Sequence, residues 1–462
     1  MRRKLLLLFM AAAALQAKAQ QHPAPFQQGD RVVFVGNSIT DGGHYHSYIW
    51  LYYMTHFPGR RITCLNAGIG GDVITQIRDR FEDDVLSKKP TVLTLTWGMN
   101  DTGYFEWYKA DGKDTMQKKL ERSYSSYRMV EDQLKKRADI KKIFIGTSPY
   151  DETTRFTDKN IFPHKAEALT EVVAFQEQAA KKNGWPFVDF YHPMRTINQR
   201  EQQRDSTFSL TPGDRIHPDN DGHMVMAYLF LKAQGLADQP VAGIRIDAAT
   251  KKVQQAVNCK INAVTGTASG ISFGYLAQSL PYPLDTIPRG WGNHNRQADA
   301  MKVVPFMKEF NQEILQVSGL QAGSYNLLMD GEKVGVYDAG QLAAGINLAE
   351  NTRTPEYQQA IQIRELNEER WDIERRLRMY AWIEFDFLKP RGMLFKDDNA
   401  AMDSVNTHAA TDWAVGGNKD NFSRARYKAL REVWQGEMNI LTDKIYEINQ
   451  PKLHTVTIAA AR

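Results

Sequence analysis

A serine at the end of an apolar run and a histidine three positions after an aspartate are the residues whose types and spacing suggest chemistry. Ser38 follows Val32–Val35 and Gly36, and Asp214 precedes His217. A carboxylate at this spacing can hold one imidazole nitrogen, which leaves the other nitrogen to take a proton from a serine hydroxyl. Because serine is a poor nucleophile without such a base, these residues together predict nucleophilic catalysis.

Each of these residues also has a structural explanation that needs no reaction. A serine directly after a strand is commonly the N-cap of a helix, and a lone histidine is more often structural than catalytic. Two glycine- and amide-containing segments are similarly open to two interpretations. Gly71, in Asn66–Asp72, lets a backbone N–H approach a ligand or simply forms a tight turn. Asn100 supplies an amide side chain or closes a turn through its own backbone.

The elements that must position these residues form an alternating pattern of short β-rich runs and amphipathic stretches from Arg31 to about Gly235. This alternation is typical of βαβ units on a parallel sheet. It predicts a three-layer α/β/α domain with five strands at Arg31–Val35, Arg61–Asn66, Thr91–Trp97, Lys141–Thr147 and Pro186–Asp189. The predicted helices include Met116–Arg137, His164–Asn183 and Asn220–Gln234.

Ser38, Gly71 and Asn100 follow three successive predicted strands, and the carboxyl ends of such strands border the functional crevice. Four sequence blocks resemble, in order, the four blocks of the SGNH (GDSL-like) hydrolase superfamily. They are Gly36-Asn37-Ser38, Asn-x-Gly-x-x-Gly71, Gly98-x-Asn100-Asp101 and Asp214-x-x-His217. The resemblance covers roughly residues 30 to 235. The family commonly has aspartate where this chain has Asn37, which leaves the other motif residues intact.

The resemblance implies a flavodoxin-like α/β/α domain with a parallel five-stranded sheet, and it implies roles for single residues. Ser38 would attack an ester carbonyl, and His217, oriented by Asp214, would act as general base and then acid. The N–H groups of Ser38 and Gly71 and the side-chain amide of Asn100 would form the oxyanion hole. Loss of one such donor typically costs about 3 kcal/mol in the barrier. Neither a cofactor nor a metal is implied.

The remainder of the chain changes character twice. Runs between Ala242 and about Leu348 favour a small β-rich accessory domain, including a hairpin at the Asp330–Gly331 turn. Long helical patterns follow, one from Thr354 to Pro390 and one from about Asn421 to Pro451, which together suggest a helical hairpin. The predicted domains are residues 20–238, 239–350 and 351–462, the last ending in a strand.

The N-terminus predicts export. Met1–Lys4 is basic, Leu5–Leu15 is apolar and Ala17–Ala19 resembles a cleavage site, so residues 1–19 form a predicted signal peptide. The apolar run is shorter than the roughly 20 residues of a membrane helix. We therefore expect a periplasmic or extracellular protein without a transmembrane segment.

Charge and cysteine content limit the possible partners. Lys and Arg total 58 against 54 Asp and Glu, and removal of residues 1–19 takes away four basic residues and no acids. Without a basic excess the chain has no electrostatic footprint for nucleic acid. The two cysteines, Cys64 and Cys259, cannot supply a disulfide framework, and a buried free thiol is the favoured interpretation for Cys64. Whether the two pair is left open.

Two other motifs are weaker. Gly270-Ile-Ser272-Phe-Gly274 matches the G-x-S-x-G pattern of α/β-hydrolases, but no helical pattern follows it, so a catalytic role is disfavoured. His44 and His46 lack further ligands for a metal, and their favoured role is to line the substrate pocket.

These observations favour a secreted serine esterase that removes small acyl groups from a carbohydrate, with acetyl as the favoured group. Two alternatives are a lipid esterase, lysophospholipase or thioesterase, and a non-catalytic glycan-binding protein with the same fold. Rates that rise with acyl-chain length would favour the first of these. A site without hydrolytic activity would favour the second.

Overall fold

The computed structural model describes residues 21–290 and 294–461. The predicted signal peptide, residues 1–19, lies outside the described residues. In the described ranges, no helix has both the length and the apolar character needed to cross a bilayer.

The N-terminal part of the chain alternates strands and helices. The strands are β1 (Arg31–Gly36), β2 (Thr63–Gly68), β3 (Val92–Leu95), β4 (Lys141–Gly146) and β5 (Phe187–Asp189). The helices are α1 (Ser38–Asp41), α2 (Tyr45–His56), α3 (Ile74–Asp79), α4 (Gly112–Lys135), α5 (Lys165–Asn183), α6 (Tyr191–Gln202) and α7 (Asn220–Ala233).

These strands form one parallel sheet in the order β2-β1-β3-β4-β5. Both faces of the sheet are covered, which is why Val32–Val35 is apolar at every position and fully buried. The prediction of a three-layer α/β/α domain with a five-stranded parallel sheet is confirmed. The order reverses at β1, so the crevice of the sheet lies where the chain leaves β1, directly before Ser38.

The accessory region is a β-sandwich. Its elements are β6 (Ala242–Asp247), β7 (Lys252–Val257), β8 (Cys259–Thr267), β9 (Gly270–Ala277), β10 (Glu313–Ser318), β11 (Ser324–Met329), β12 (Glu332–Asp338), α9 (Ala339–Ala344) and β13 (Ile346–Asn347). The connection from β9 to β10 contains α8 (Phe306–Phe310), which packs in the core of the α/β domain. One sheet has the order β13-β10-β6-β7, and the second includes the last strand of the chain, β14 (Leu453–Ala460), in the order β12-β11-β14-β9-β8. Alternate side chains of both sheets share one core.

Two details of the sandwich bear on the sequence predictions. The predicted run Ala256–Val264 is split at Asn258, which has a positive φ of 52° and separates β7 from β8. The Asp330–Gly331 turn joins β11 to β12 as predicted, and both turn residues have positive φ.

The C-terminal helical region differs from the predicted hairpin, because it contains four α-helices. They are α10 (Pro355–Trp382), α11 (Asn399–His408), α12 (Trp413–Ala425) and α13 (Lys428–Ile448). Thr354 caps α10 as predicted, with its side chain accepting from the Tyr357 N–H. The predicted second helix is broken at Tyr427, whose extended backbone turns the chain between α12 and α13 and leaves its ring exposed. The break escapes detection because the apolar spacing continues across it.

The helical region packs on the α/β domain through α10, which contacts α2 and β2. Glu374 of α10 accepts a hydrogen bond from the Asn66 N–H of β2 at 2.8 Å. Cys64, also on β2, and Cys259 are both free and buried, and burial raises the pKa of the Cys64 thiol well above its ordinary value. The favoured interpretation of Cys64 as a buried free thiol is thus confirmed.

Candidate active site

Ser38 is the first residue of α1 and lies at the carboxyl end of β1. The N-cap is Asn37, whose Oδ1 accepts a hydrogen bond from the Ile39 N–H at 3.1 Å. Gly36 is required here, since a Cβ on it would lie 2.2 Å from Thr40 Oγ1. The tight strand-to-helix connection therefore holds the Ser38 side chain at the edge of the sheet. The alternative that Ser38 serves as the N-cap does not apply.

Asp214 and His217 lie on the segment before α7, opposite Ser38. His217 Nε2 is 2.8 Å from Ser38 Oγ, and His217 Nδ1 is 2.5 Å from Asp214 Oδ2. The other carboxylate oxygen, Oδ1, accepts from the N–H groups of Ile216 and His217 at 2.9 and 2.8 Å. Arg215 holds this segment in place by donating from Nη1 to Asp151 O at 3.0 Å. The structure thus brings together the three residues that the sequence singles out.

The charge state of Asp214 follows from these hydrogen bonds. Burial by itself would raise the pKa of Asp214, but the bonds from the ring and backbone of His217 hold that pKa below its usual value. Asp214 is therefore an ionised acceptor at neutral pH. An ionised acceptor at Nδ1 keeps the proton of neutral imidazole on that nitrogen, so Nε2 presents a lone pair to the Ser38 hydroxyl.

Gly71 and Asn100 lie on the loops that follow β2 and β3, next to the end of β1. Asn100 Nδ2 donates to Asp72 O at 2.9 Å, which ties the two loops together. Its Oδ1 accepts from the Tyr104 hydroxyl at 2.5 Å, so the orientation of the amide is set and a second N–H of Nδ2 remains for a ligand. A Cβ built on Gly70 would lie 4.0 Å from Ser38 Cβ, which places the loop of Gly71 beside the serine.

A small pocket opens beside Ser38 and His217. Its volume is about 210 Å³, and it is lined by Ser38, Ile39, Gly42, Gly43, Gly213, Asp214, His217, Pro218, Asp219 and His223. Gly43 is required because a Cβ there would lie 2.0 Å from His223 Cε1. Burial, with His44, His46 and His217 nearby, lowers the pKa of His223 well below its ordinary value, so this wall of the pocket is neutral.

The histidines that line the pocket are therefore His217 and His223, and the prediction that His44 and His46 line it is wrong. His44 Nε2 pairs with Glu368 Oε2 at 3.2 Å, and His46 Nε2 bonds Thr40 O at 3.1 Å. The His44 ring also stacks on Trp371 of α10, whereas the His46 ring packs on Phe34 of β1. A single sequence contains no signal for the contact of His44 with α10. Within the described residues no three His, Cys, Asp or Glu side chains are grouped as metal ligands.

The competing serine, Ser272, lies far from this arrangement in the fold. It is on β9 of the sandwich, and its Oγ is 2.9 Å from Thr457 Oγ1 of β14. The strand–turn–helix context that a nucleophile elbow requires is absent at this strand, which continues to Ala277. Ser272 is a cross-strand pairing residue.

Comparison with known proteins identifies two matched regions. Residues 34–225 match the GDSL-like lipase/acylhydrolase family, and residues 361–450 match the diltiazem deacetylase C-terminal helical domain. The solved structure of a gut microbial diltiazem-metabolizing enzyme is 46% identical, covers 96% of this chain and 100% of its own, and superposes with a TM-score of 0.92.

A more distant similarity covers the α/β domain. An acetylxylan esterase from Geobacillus stearothermophilus is 24% identical over 226 residues, which are 45% of this chain and 94% of that protein. A crystal structure of the acetylxylan esterase Axe2 from the same organism is 23% identical over 45% of this chain and 95% of its own, with a TM-score of 0.37.

Proposed function

The chain belongs to the GDSL-like lipase/acylhydrolase (SGNH hydrolase) family and is a carboxylic-ester hydrolase, and on that premise we propose that it is an exported acetylesterase acting on a carbohydrate through Ser38, His217 and Asp214. The observation that carries the proposal is the line of contacts from Asp214 Oδ2 through the His217 ring to Ser38 Oγ, with separations of 2.5 and 2.8 Å. Both distances are within hydrogen-bond reach.

In the proposed reaction, Ser38 Oγ attacks the ester carbonyl carbon while His217 Nε2 takes the hydroxyl proton. The carbonyl oxygen becomes an oxyanion, which the N–H groups of Ser38 and Gly71 and the Asn100 amide stabilise. His217 then gives the proton to the departing alcohol, which leaves an acetyl ester on Ser38. Water, deprotonated by His217, attacks this acyl-enzyme, releases acetate and restores the serine hydroxyl.

The size of the pocket supports a short acyl group. A pocket of about 210 Å³ is smaller than the roughly 300–1,000 Å³ of drug-sized ligand sites. Its wall is closed by the packed pair Gly43 and His223. Acetyl is also the group named in the matched C-terminal domain and in the acetylxylan esterase.

Aromatic side chains beside Asn100 support a ring-bearing alcohol. Phe105 is 71% and Tyr108 is 58% exposed, and their rings pack at 5.4 and 5.9 Å on the ring of Phe162. Tyr104 also packs on Phe162 and donates to Asn100. Exposed apolar patches next to a site commonly bind ligands, so this surface is suited to stack on a sugar ring.

Aryl esters of increasing acyl length are expected to separate this proposal from a lipid esterase. Because the pocket is small, we expect kcat/KM to be highest for the acetate and to fall at least about tenfold by the octanoate, which corresponds to about 1.4 kcal/mol in the barrier. Steady-state rates of release of the aryl alcohol measure this.

A rise in kcat/KM with chain length would contradict the proposal and favour the lipid esterase. Acetate release from acetylated xylo-oligosaccharides and from diltiazem then tests which alcohol carries the acetyl group in the substrate. Release from the oligosaccharides supports the carbohydrate substrate, whereas release from diltiazem alone supports a small-molecule esterase.

The proposed export rests on the basic segment Met1–Lys4 and the apolar run Leu5–Leu15 before Ala17–Ala19. We expect the exported protein to begin at Gln20, and N-terminal sequencing of protein recovered outside the cytoplasm checks this. An N-terminus that retains Met1 would contradict the proposal.

A further inference from the structure

The C-terminal helices contact the loop that carries Gly71. We call residues 68–72, which begin with the last residue of β2, the oxyanion loop. Trp382 Nε1 donates to Gly70 O at 2.9 Å, and Arg378 Nε donates to Gly68 O at 2.9 Å. Ile69, between these two carbonyls, is fully buried against Ala381 and Phe385. One face of α10 and of the π-helical turn that continues it, Ile383–Leu388, therefore covers the back of the loop.

The contact with Gly70 O bears on chemistry because of the geometry of the peptide unit. The carbonyl of Gly70 and the N–H of Gly71 belong to the same planar trans peptide, so they point in opposite directions. A donor that fixes the direction of Gly70 O also fixes the direction of the Gly71 N–H. The indole N–H of Trp382 thus binds the carbonyl of the peptide unit whose N–H, that of Gly71, is the proposed oxyanion donor.

This peptide needs an external restraint because it joins two glycines. Gly71 has a φ of +91°, and glycine residues exchange between such conformations with little steric cost. The loop is held at both sides of the peptide, by Ile69 N donating to Gly36 O at 3.2 Å and by Asn100 Nδ2 donating to Asp72 O. The turn is closed by Asp72 N donating to Ile69 O at 3.3 Å. Because a turn with this bond accepts either orientation of its central peptide, none of these contacts sets the rotation of the Gly70–Gly71 peptide itself.

The side chain of Arg378 is itself firmly held. Its Nη1 and Nη2 donate to the two carboxylate oxygens of Asp84 at 2.8 and 2.9 Å, and both residues are buried. Arg80 bonds the same carboxylate and donates from Nε to Asp72 Oδ2 at 2.7 Å. This buried network joins α10 to the start and the end of the oxyanion loop, so α10 cannot shift without moving the loop.

We propose that Trp382 and Arg378 are positioning residues of the oxyanion hole, and that the C-terminal helical region holds the Gly71 N–H in its productive direction. This inference rests on the proposed function. The helices then act on the transition state, in which the oxyanion forms, more than on the bound ester. Loss of the Trp382 N–H is expected to lower kcat and leave KM nearly unchanged.

Trp382→Phe tests this, because phenylalanine keeps most of the apolar contact and removes the donor. The matched control is Trp434→Phe, in which the same change is made in the core of the same helical region, away from the loop. We expect kcat on an aryl acetate to fall roughly tenfold in Trp382→Phe, less than the 10²–10³ for removal of an oxyanion donor itself. We expect KM to stay within about twofold, and Trp434→Phe to keep the wild-type kcat.

A second readout uses a phosphonate ester that forms a tetrahedral adduct with the serine. Its inactivation rate is expected to fall in Trp382→Phe in parallel with kcat, whereas thermal stability should fall no further than in Trp434→Phe. Wild-type kcat and inactivation rate in Trp382→Phe, or equal losses in both variants, would overturn the inference while leaving the proposed function intact. Wild-type activity in Ser38→Ala would overturn both.

Discussion

Replacement of Ser38 by alanine is expected to lower kcat by about 10⁵–10⁶-fold, because the change removes the atom that forms the acyl-enzyme. Ser38 Oγ is 2.8 Å from His217 Nε2 and opens onto the small pocket, so alanine leaves the pocket and the histidine in place. Steady-state hydrolysis of an aryl acetate measures the loss. The absence of an initial burst of aryl alcohol at high enzyme concentration shows that no acyl-enzyme forms.

The matched control for this prediction is Ser272→Ala. Ser272 lies in the competing G-x-S-x-G segment, but its hydroxyl is hydrogen-bonded to the Thr457 hydroxyl within the sandwich sheet. We expect Ser272→Ala to keep the wild-type kcat. Loss of activity in Ser272→Ala with full activity in Ser38→Ala would show that the nucleophile has been assigned to the wrong serine. A wild type without hydrolytic activity on any ester would favour a glycan-binding protein.

The α/β domain could be predicted from the sequence because its signals are local. Each strand of the parallel sheet is a short apolar run bounded by turn residues, and each helix has its own periodicity. Ser38, Gly71 and Asn100 follow strand ends, so the order of elements alone brings them to one edge of the sheet. His217 could be predicted as the base of the site because Asp214 stands three positions before it.

The features that could not be predicted from the sequence depend on contacts between distant segments. Trp382 and Arg378 lie in a helix with ordinary spacing, and only packing on β2 places them against the oxyanion loop. His223 lies within the apolar pattern of α7, so nothing local distinguishes it from a core residue. The sequence also gives no signal for the break at Tyr427. Its backbone is extended, but its side chain continues the apolar stripe of the predicted helix.

The position of the terminal strand also depends on contacts between segments that are distant in the sequence. β14 follows the helices, yet it pairs with β9 and β11 in the middle of the sandwich sheet. The helical region is therefore an insertion between two strands of the sandwich, β13 of one sheet and β14 of the other, and the two sheets anchor its two ends. Anchoring at both ends restricts the position of α10, which is what a role in holding the oxyanion loop requires.

Asp214→Asn is expected to lower kcat by about 10³–10⁴-fold without unfolding the site. The reason lies in the hydrogen bonds of the carboxylate. Oδ1 accepts from the N–H groups of Ile216 and His217, so an asparagine keeps its own oxygen at that position. Its amide nitrogen then replaces Oδ2 and points a donor at His217 Nδ1.

A donor at that position reverses the tautomer of His217. Nδ1 must accept, so the imidazole proton moves to Nε2, which can no longer take the proton of Ser38. The carboxylate that would stabilise a charged imidazole is also gone. Asp214→Glu serves as the comparison, because it retains an acceptor of the same charge and should keep more activity than the isosteric amide. If the asparagine variant instead had near wild-type kcat with an unchanged melting temperature, Asp214 would only support the segment before α7, and the base would have to be oriented by another group.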